Sequence, residues 1–213
     1  VNIVVIPGIR DSSLTDYVLQ RTRDFSQAIY IMDIPHYDGD GNRLFEGSSG
    51  RPAVDKTSEN FESRALDNSY GATYFPDISI ADSSTGIVKK VPSSIAALGA
   101  IGFNDSISYP WFAPAGFNRG ALDFVVGVDA KLSAGDRDTL YGSRINPIAT
   151  FPSAGFVIFG QKTLQQARTA LDRVNVRRML VEVKRLVSEV ANRIVFEQNT
   201  ASTRSSFVAQ ATP

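Results

Sequence analysis

VNIVVIPGIRDSSLTDYVLQRTRDFSQAIYIMDI, residues 1–34, decides the fold class of this 213-residue chain. Ile3 to Ile6 is an unbroken apolar run ended by Pro7 and Gly8, the pattern of a buried strand of the parallel kind. Ser13 with Asp16 three residues later resembles a capping box, and Leu14, Tyr17, Val18 and Phe25 follow at helical spacing. A second apolar run, Ala28 to Ile34, completes a strand-helix-strand unit. Such a unit predicts an α/β fold with a mixed or mostly parallel central sheet flanked by helices.

The following stretch, Pro35 to Pro52, is rich in Gly, Asp and Ser and reads as an exposed, mobile loop, extending over residues 35–53, within one domain of residues 1–213. A helix is expected over Asp55–Asp67, short strands at Ala72–Phe75 and Ile78–Ile80, and a turn at Ser83–Gly86 leading into a strand at Ile87–Val91. After Pro92, SSIAALGAIGF sets Ile95, Leu98 and Ile101 among small residues, a helix suited to close packing. Leu122–Val128 reads as a strand. Ser133 with Asp136 marks a second capping box, on a short helix ending near Gly142. INPI, Ile145 to Ile148, reads as an irregular connector around Asn146 and Pro147, and FVIF, Phe156 to Phe159, as a central strand. The strongest helix is a long C-terminal amphipathic one over Val176–Glu197, capped by Asn175. Val176, Met179, Leu180, Val183, Val187, Val190 and Ile194 form its apolar stripe, and Arg177, Arg178, Lys184, Arg185 and Arg193 lie off it.

Between the two halves lies WFAPAGFNRG, Trp111 to Gly120, where helix, strand and solvent-loop chemistry all fail. Pro110 and Pro114 remove donors, and Gly116 and Gly120 permit positive φ. The segment reads as a rigid, half-buried connector with Trp111 and Phe117 in the core, Asn118 and Arg119 forming a polar end, and Arg119 bonded to nearby backbone or carboxylate oxygens.

Composition narrows the function. There is no cysteine, which excludes disulfides and thiolate metal sites and fits an intracellular folding compartment. Lys plus Arg and Asp plus Glu are equal at 22 each, an argument against nucleic acid or an anionic membrane as the main partner. From Gln161 onward, however, nine basic residues face four acidic ones, leaving residues 1–160 correspondingly acidic; such a chain can attract copies of itself, although a neutral monomer with uneven faces is the commoner case. No apolar run approaches the roughly 18 residues that span a bilayer.

No catalytic constellation emerges. The PGIRDSS turn after the first strand sits where α/β folds bind phosphate, but lacks the spacing of a dinucleotide or P-loop motif. DGDGN sets Asp38, Asp40 and Asn42 at calcium-loop spacing, with Arg43 where Gly is required and Ser49 where a bidentate Glu should stand, so it reads as a polar turn. GSSG at Gly47–Gly50 is loop composition. His36 is the single histidine and reads as a solvated loop residue; Asp136 and Asp138 read as helix N-terminal acids. No catalytic, cofactor-binding or metal-binding residue is assigned.

One ordered set of blocks stands out: WFAPAGFNRG, DRDTLYGSRINPI, GFVIFGQKTL, LDRVNVRRML and FEQNTASTRSSF. Together, over roughly Pro92 to Phe207, they resemble the C-terminal half of contractile phage tail sheath proteins, the T-even type most closely. The resemblance implies a structural subunit, not an enzyme, that stacks as six-fold rings around a tail tube and contracts to drive the tube through the host envelope. It implies an α/β core and arms that add strands to neighbouring subunits. It also implies segments beyond both ends of these residues, which on this reading are a fragment lacking the terminal arms. Partners would be copies of itself, the tail tube protein, and baseplate and tail terminator proteins, with neither direct nucleic-acid contact nor membrane insertion. The location would be the virion tail, assembled in the host cytoplasm. On this reading Trp111, Pro114, Gly116, Asn118, Arg119, Asn146 and Pro147 are structural, and Arg177, Lys184 and Arg185 face a subunit or the tube. The alternatives are a sheath of an R-type bacteriocin or type VI secretion machine, and, in a different class, an α/β enzyme holding a phosphorylated ligand at the Gly8 turn.

Overall fold

The computed structural model describes residues 2–46 and 52–212. In chain order its elements begin with strand β1 (Ile3–Val5), helix α1 (Ser12–Phe25), β2 (Ile29–Met32), α2 (Val54–Glu62), β3 (Gly71–Phe75), β4 (Ile78–Ala81), β5 (Val88–Val91) and α3 (Ser93–Ile107). They continue with β6 (Val125–Val128), α4 (Ala134–Gly142), β7 (Ile145–Phe151), β8 (Gly155–Ile158), α5 (Val174–Asn192) and α6 (Ala201–Ala211). The main sheet has the order β1-β2-β3-β7-β8. Its first four strands are parallel, and β8 returns antiparallel to β7. A small antiparallel sheet, β5-β4-β6, sits beside it. The mostly parallel α/β architecture expected from the opening residues is the one observed.

Period-two alternation sends the side chains of the buried strand β2 to opposite faces, and both faces are covered. Ile29 and Ile31 pack with Ala72, Tyr74, Ala96, Ala97, Ala100, Ile101 and Val174, so α3 and the start of α5 close one face. Tyr30 and Met32 pack with Leu19, Phe61, Leu140 and Leu164, so α1, α2 and α4 close the other. Gly71 makes this second closure possible: a Cβ there would lie 2.6 Å from Leu19 Cδ1 and 2.9 Å from Leu164 Cδ1.

Several local expectations are corrected. β1 is a half-buried edge strand, not an interior one. α1 is capped by Asp11, whose side chain accepts from Leu14 N–H at 2.9 Å, and Asp16 is drawn instead to Arg64. Its buried face is Thr15, Leu19 and Thr22, with Leu14, Tyr17 and Phe25 exposed. α2 ends at Glu62, short of Asp67. On α3 the small residues and Ile101 turn inward while Leu98 is exposed. INPI opens the interior strand β7, and FVIF falls in the edge strand β8. Pro147 is tolerated because the neighbouring Asn146 supplies bonds with its side chain. The buried Asn146 amide donates to Thr73 O at 3.0 Å and Lys162 O at 2.8 Å, and its Oδ1 accepts from Lys162 N–H. The capping box of α4 is present as read, Ser133 with Asp136.

The 35–53 loop is exposed only at its tip. Tyr37 and residues 39–42 face solvent, whereas His36, Leu44 and Phe45 are buried, and residues 47–51 lie outside the described residues. His36 is not solvated: its ring meets Phe45 and Phe75 edge-on at 5.2 and 5.8 Å, with Nδ1 3.5 Å from Asp77 Oδ2. Burial, then the Arg10 cation, pushes its pKa down to about 3, so that contact is made by a neutral imidazole.

At the carboxyl ends of the parallel strands sits Asp33, 1% exposed. Its Oδ2 accepts from Gly8 N–H at 2.9 Å and Ser94 Oγ at 2.8 Å, and its Oδ1 from Ser94 N–H at 3.0 Å and Ser93 Oγ at 3.3 Å. Asp77 lies alongside, accepting from Arg10 Nη2 at 2.6 Å and Ser93 N–H at 3.1 Å. Two carboxylates of the chain thus occupy the N-terminus of α3, where the helix favours negative charge.

Replacing Asp33 by Ala strands several buried donors, and each unsatisfied group costs about 1–3 kcal/mol, so urea unfolding should show a loss of at least roughly 3 kcal/mol. The neutral His36 sets a pH dependence of definite sign. Because its folded pKa lies below its unfolded value of about 6.5, its contribution is present above that pH and is lost as pH falls toward about 3, by up to about 1.4 kcal/mol per unit. The Asp77 carboxyl, raised chiefly by burial, acts in the opposite sense at lower pH. Denaturant unfolding of the native chain and a His36→Phe variant should therefore diverge below pH 6.5, the variant lacking that slope.

Candidate functional site

The crevice where an α/β sheet ordinarily holds a ligand is filled from within. The Gly8 N–H that a phosphate would need is bonded to Asp33, and Arg10 is spent on Asp77 and on Ile34 O at 2.9 Å. The DGDGN carboxylate is likewise engaged: Asp38 Oδ1 accepts from Asp40 N–H at 3.0 Å and Asn42 N–H at 2.8 Å, closing a turn on itself. Ser49 and the GSSG stretch lie outside the described residues. Asp136 Oδ2 accepts from Ser133 N–H at 2.7 Å. Among the described residues no group of three His, Asp or Glu side chains is placed to hold a metal ion, and no helix is long and apolar enough to cross a membrane.

What the chain does present is exposed apolar and aromatic surface, organised first by the Trp111–Gly120 segment. Pro114 and Gly120 are buried, and a Cβ on Gly120 would lie 2.7 Å from Ala115 Cα, so the backbone folds tightly on itself. Gly116, at φ +80°, donates to Ile158 O at 2.9 Å; Ile158 N–H returns to Gly120 O at 2.8 Å, and Leu122 N–H reaches Phe156 O at 2.9 Å. The segment therefore runs as an improvised strand along the outer side of β8 and seals that edge of the main sheet. No strand pairs with the outer side of β1 among the described residues.

Two side chains of α5 pin the same segment. Asn175 Nδ2 donates to Trp111 O at 3.1 Å, and Arg178 Nη1 to Pro110 O at 3.2 Å while its other arm is ion-paired with Asp105. Arg119 Nε donates to Ala113 O at 3.2 Å, as expected, with its guanidinium 5.0 Å above Phe112. Trp111 and Phe117 are not core residues, however: they are 43% and 53% exposed. Trp111 stacks flat on Tyr109 at 4.6 Å, and Phe117 joins Phe151 and Phe159 in a surface cluster. Asn118 is exposed. The backbone is closely hydrogen-bonded, and its aromatics face outward.

On α5 the expected phase is rotated. The helix starts at Val174, and Asn175 lies inside it. Its buried side is Val174, Arg177, Arg178 and Val181, whereas Leu180, Val183 and Leu186 are exposed. Arg177 is thus interior, its guanidinium 4.0 Å from the centre of the Tyr70 ring and bonded to Ser69 Oγ, which removes it from any surface role. Lys184 and Arg185 are on the surface as expected. Lys184 reaches Ser26 Oγ, and Arg185 pairs with Glu182 and Glu189. Beyond the helix, Phe196 is 99% exposed and α6 has no buried residue. Exposed apolar residues thus recur on the Trp111–Gly120 segment, on α5 and beyond it.

Sequence reasoning missed Asp33 and the Arg178–Asp105 pair. The first had a legible signal, an acid closing the apolar run AIYIMDI; the second joins residues 73 apart and had none.

No family model matches the chain. It is 34% identical over 163 residues, 76% of its length, to the tail sheath protein of Vibrio phage KVP40, and 33% identical over 126 residues to that of Enterobacteria phage T4. The chain spans about a quarter or less of these relatives, 23% and 19%. In fold it is similar to the sheath complex of an extracellular contractile injection system, PVC, in the contracted state, with a TM-score of 0.74 at 20% identity, covering 99% of this chain and 53% of that one. The contracted helical sheath of the anti-feeding prophage gives 0.70 at 19% identity, covering 99% of this chain and 52% of that one. This α/β domain, its ligand crevice closed by its own carboxylates, is thus similar in sequence to phage tail sheath proteins, one of them over three quarters of its length at about a third identity.

Proposed function

We propose that this chain is the folded core of a structural subunit in a contractile phage tail sheath, which assembles as stacked six-fold rings around the tail tube and contracts to drive the tube through the host envelope. The observation that carries the reading is one-third identity to the KVP40 tail sheath protein over 163 residues. Exposed aromatics on a closely hydrogen-bonded backbone, exposed apolar residues on α5 and the segregated charges of the two parts of the chain suit repeated contacts between copies. The partners follow: other copies in a helical array, a baseplate, a tail tube protein and a terminator, with the particle assembled in the host cytoplasm. The fold likeness to two injection-system sheaths supports a second reading, a subunit of a related machine such as an R-type bacteriocin or type VI secretion sheath. The phage reading is preferred because identity is about a third with the phage proteins and about a fifth with the injection systems.

Electron microscopy of the full-length protein containing these residues should show rings or tubes; a protein that stays monomeric at high concentration overturns the proposal. Charge reversal at Lys184 and Arg185 should leave the melting temperature of the domain nearly unchanged, since exposed pairs contribute about 0–1 kcal/mol, while reducing tube formation at low salt. Unfolding of that double variant would remove the pair from the assembly surface. Trp111→Ala should cost well under the roughly 3–5 kcal/mol of a core tryptophan and should still lower the yield of tubes, read by sedimentation.

A further inference from the structure

The C-terminal end of α4 meets the chain segment that follows β8. Between them lies a cleft of about 400 Å³ lined by Tyr141, Arg144, Lys162, Arg168, Asp172 and Arg173, with Gln165 and Gln166 at its side. Four cationic side chains thus share one cleft with a single lining carboxylate, and that carboxylate, Asp172, is paired with Arg173 Nε at 3.1 Å. Asp67 is close by, but its Oδ1 accepts from Gln166 N–H at 2.8 Å.

The cations divide into two kinds. Lys162 and Arg173 have internal partners: Lys162 Nζ donates to Tyr141 O at 2.7 Å and lies 4.1 Å from the centre of the Tyr141 ring, and Arg173 is bonded to the Tyr141 hydroxyl. These bonds account for the helix end, where a cation satisfies the last carbonyls. Arg144 and Arg168 are different. Neither has a hydrogen-bond or ion-pair partner among the described residues, and Arg144 Nε is buried without one. Arg144 also holds a left-handed backbone, φ +67°, at the junction of α4 and β7, a conformation that disfavours a long side chain. Two unpaired guanidinia beside an ammonium that has one carbonyl partner are the donor set that recognises carboxylate and phosphate groups. Consistently, burial and then the Arg173 charge hold the Lys162 pKa below its ordinary value, with Asp172 opposing and Arg168 and Arg144 adding to the depression.

We propose that this cleft binds a multivalent oxyanion through Arg144 and Arg168, with Lys162 also lining it. The ligand is either a free phosphate-class anion or a pair of carboxylates presented by a second copy of the chain, and the two share the same recognition chemistry. Anion binding at the cleft does not rest on the sheath reading; the second source, carboxylates of another copy, does.

Pyrophosphate and citrate, each titrated at constant ionic strength, are the probes. Both should raise the melting temperature of the domain saturably, by about 3–5 °C at ten times the dissociation constant. Arg168→Gln, an exposed change that leaves the backbone alone, should weaken the response at least tenfold, and Arg144→Gln should do the same. Arg21→Gln, on the remote helix α1, should not. An increment that fails to saturate, or that is equal in the Arg168 variant, is general salt stabilisation and overturns the site. Assembly of the full-length protein then separates the sources. Loss of tubes with Arg168→Gln identifies carboxylates of a neighbouring copy, and unchanged tubes with retained pyrophosphate binding in the parent identify a free anion.

Discussion

A fully buried carboxylate must be given hydrogen bonds, and Asp33 obtains them from two places far apart in the chain. The Gly8 turn supplies one and the first residues of α3 supply the rest. That requirement fixes where α3 begins, holds the first strand-helix turn against it, and brings the small-residue side of α3 onto the sheet. With Asp77 completing the arrangement through Arg10 and Ser93, the positive end of α3 is neutralised internally. A topology that elsewhere offers its strand ends to nucleotides here offers a closed surface. The fold is retained, while its usual point of ligand entry has become a structural joint.

The arginines repeat the theme at longer range. Arg178 ties α5 to the end of α3 and to Pro110, Arg177 lies on Tyr70, and Arg64 connects α1 to the segment after α2. In each case a planar guanidinium reaches across a gap between elements with an apolar stem and several donors, something a lysine does less well. Because these fasteners occupy the inner side of α5, its outer side is left to Leu180, Val183 and Leu186. Internal polar fastening and external apolar exposure are two aspects of one arrangement.

The sequence disclosed the parts of this fold that depend on local rules. Strand-helix-strand order, the Ser133–Asp136 cap and the irregular course of Trp111–Gly120 follow from apolar runs, side-chain reach and Pro/Gly chemistry, and all are present. It was least legible where a residue type has two opposite habits. Aromatics usually fill cores, yet Trp111 and Phe117 lie at the surface. Arginines usually face water, yet Arg177 and Arg178 are interior, which rotated the apparent stripe of α5. A proline usually ends a strand, yet Pro147 continues one because Asn146 supplies side-chain bonds. His36 looked like loop because its aromatic neighbours Phe45 and Phe75 are brought to it only by the tertiary fold. Of the proposed surface residues, Lys184 and Arg185 could be placed from helical spacing, whereas the cleft around Arg144 joins three segments and has no local signature.

The sealed side of β8 gives the main sheet an unequal pair of margins. One margin is saturated by residues 116–122 of the same chain, and the other, along β1, has no strand beside it among the described residues. In terms of connectivity, the sheet has a valence of one. A sheet with two open margins polymerises into an unlimited ribbon as soon as two copies meet. A sheet with one open margin offers backbone donors and acceptors to an added strand on that side alone. The difference gives main-chain pairing a direction: a further strand can be added beside β1, whereas the side of β8 is already taken by the chain's own backbone.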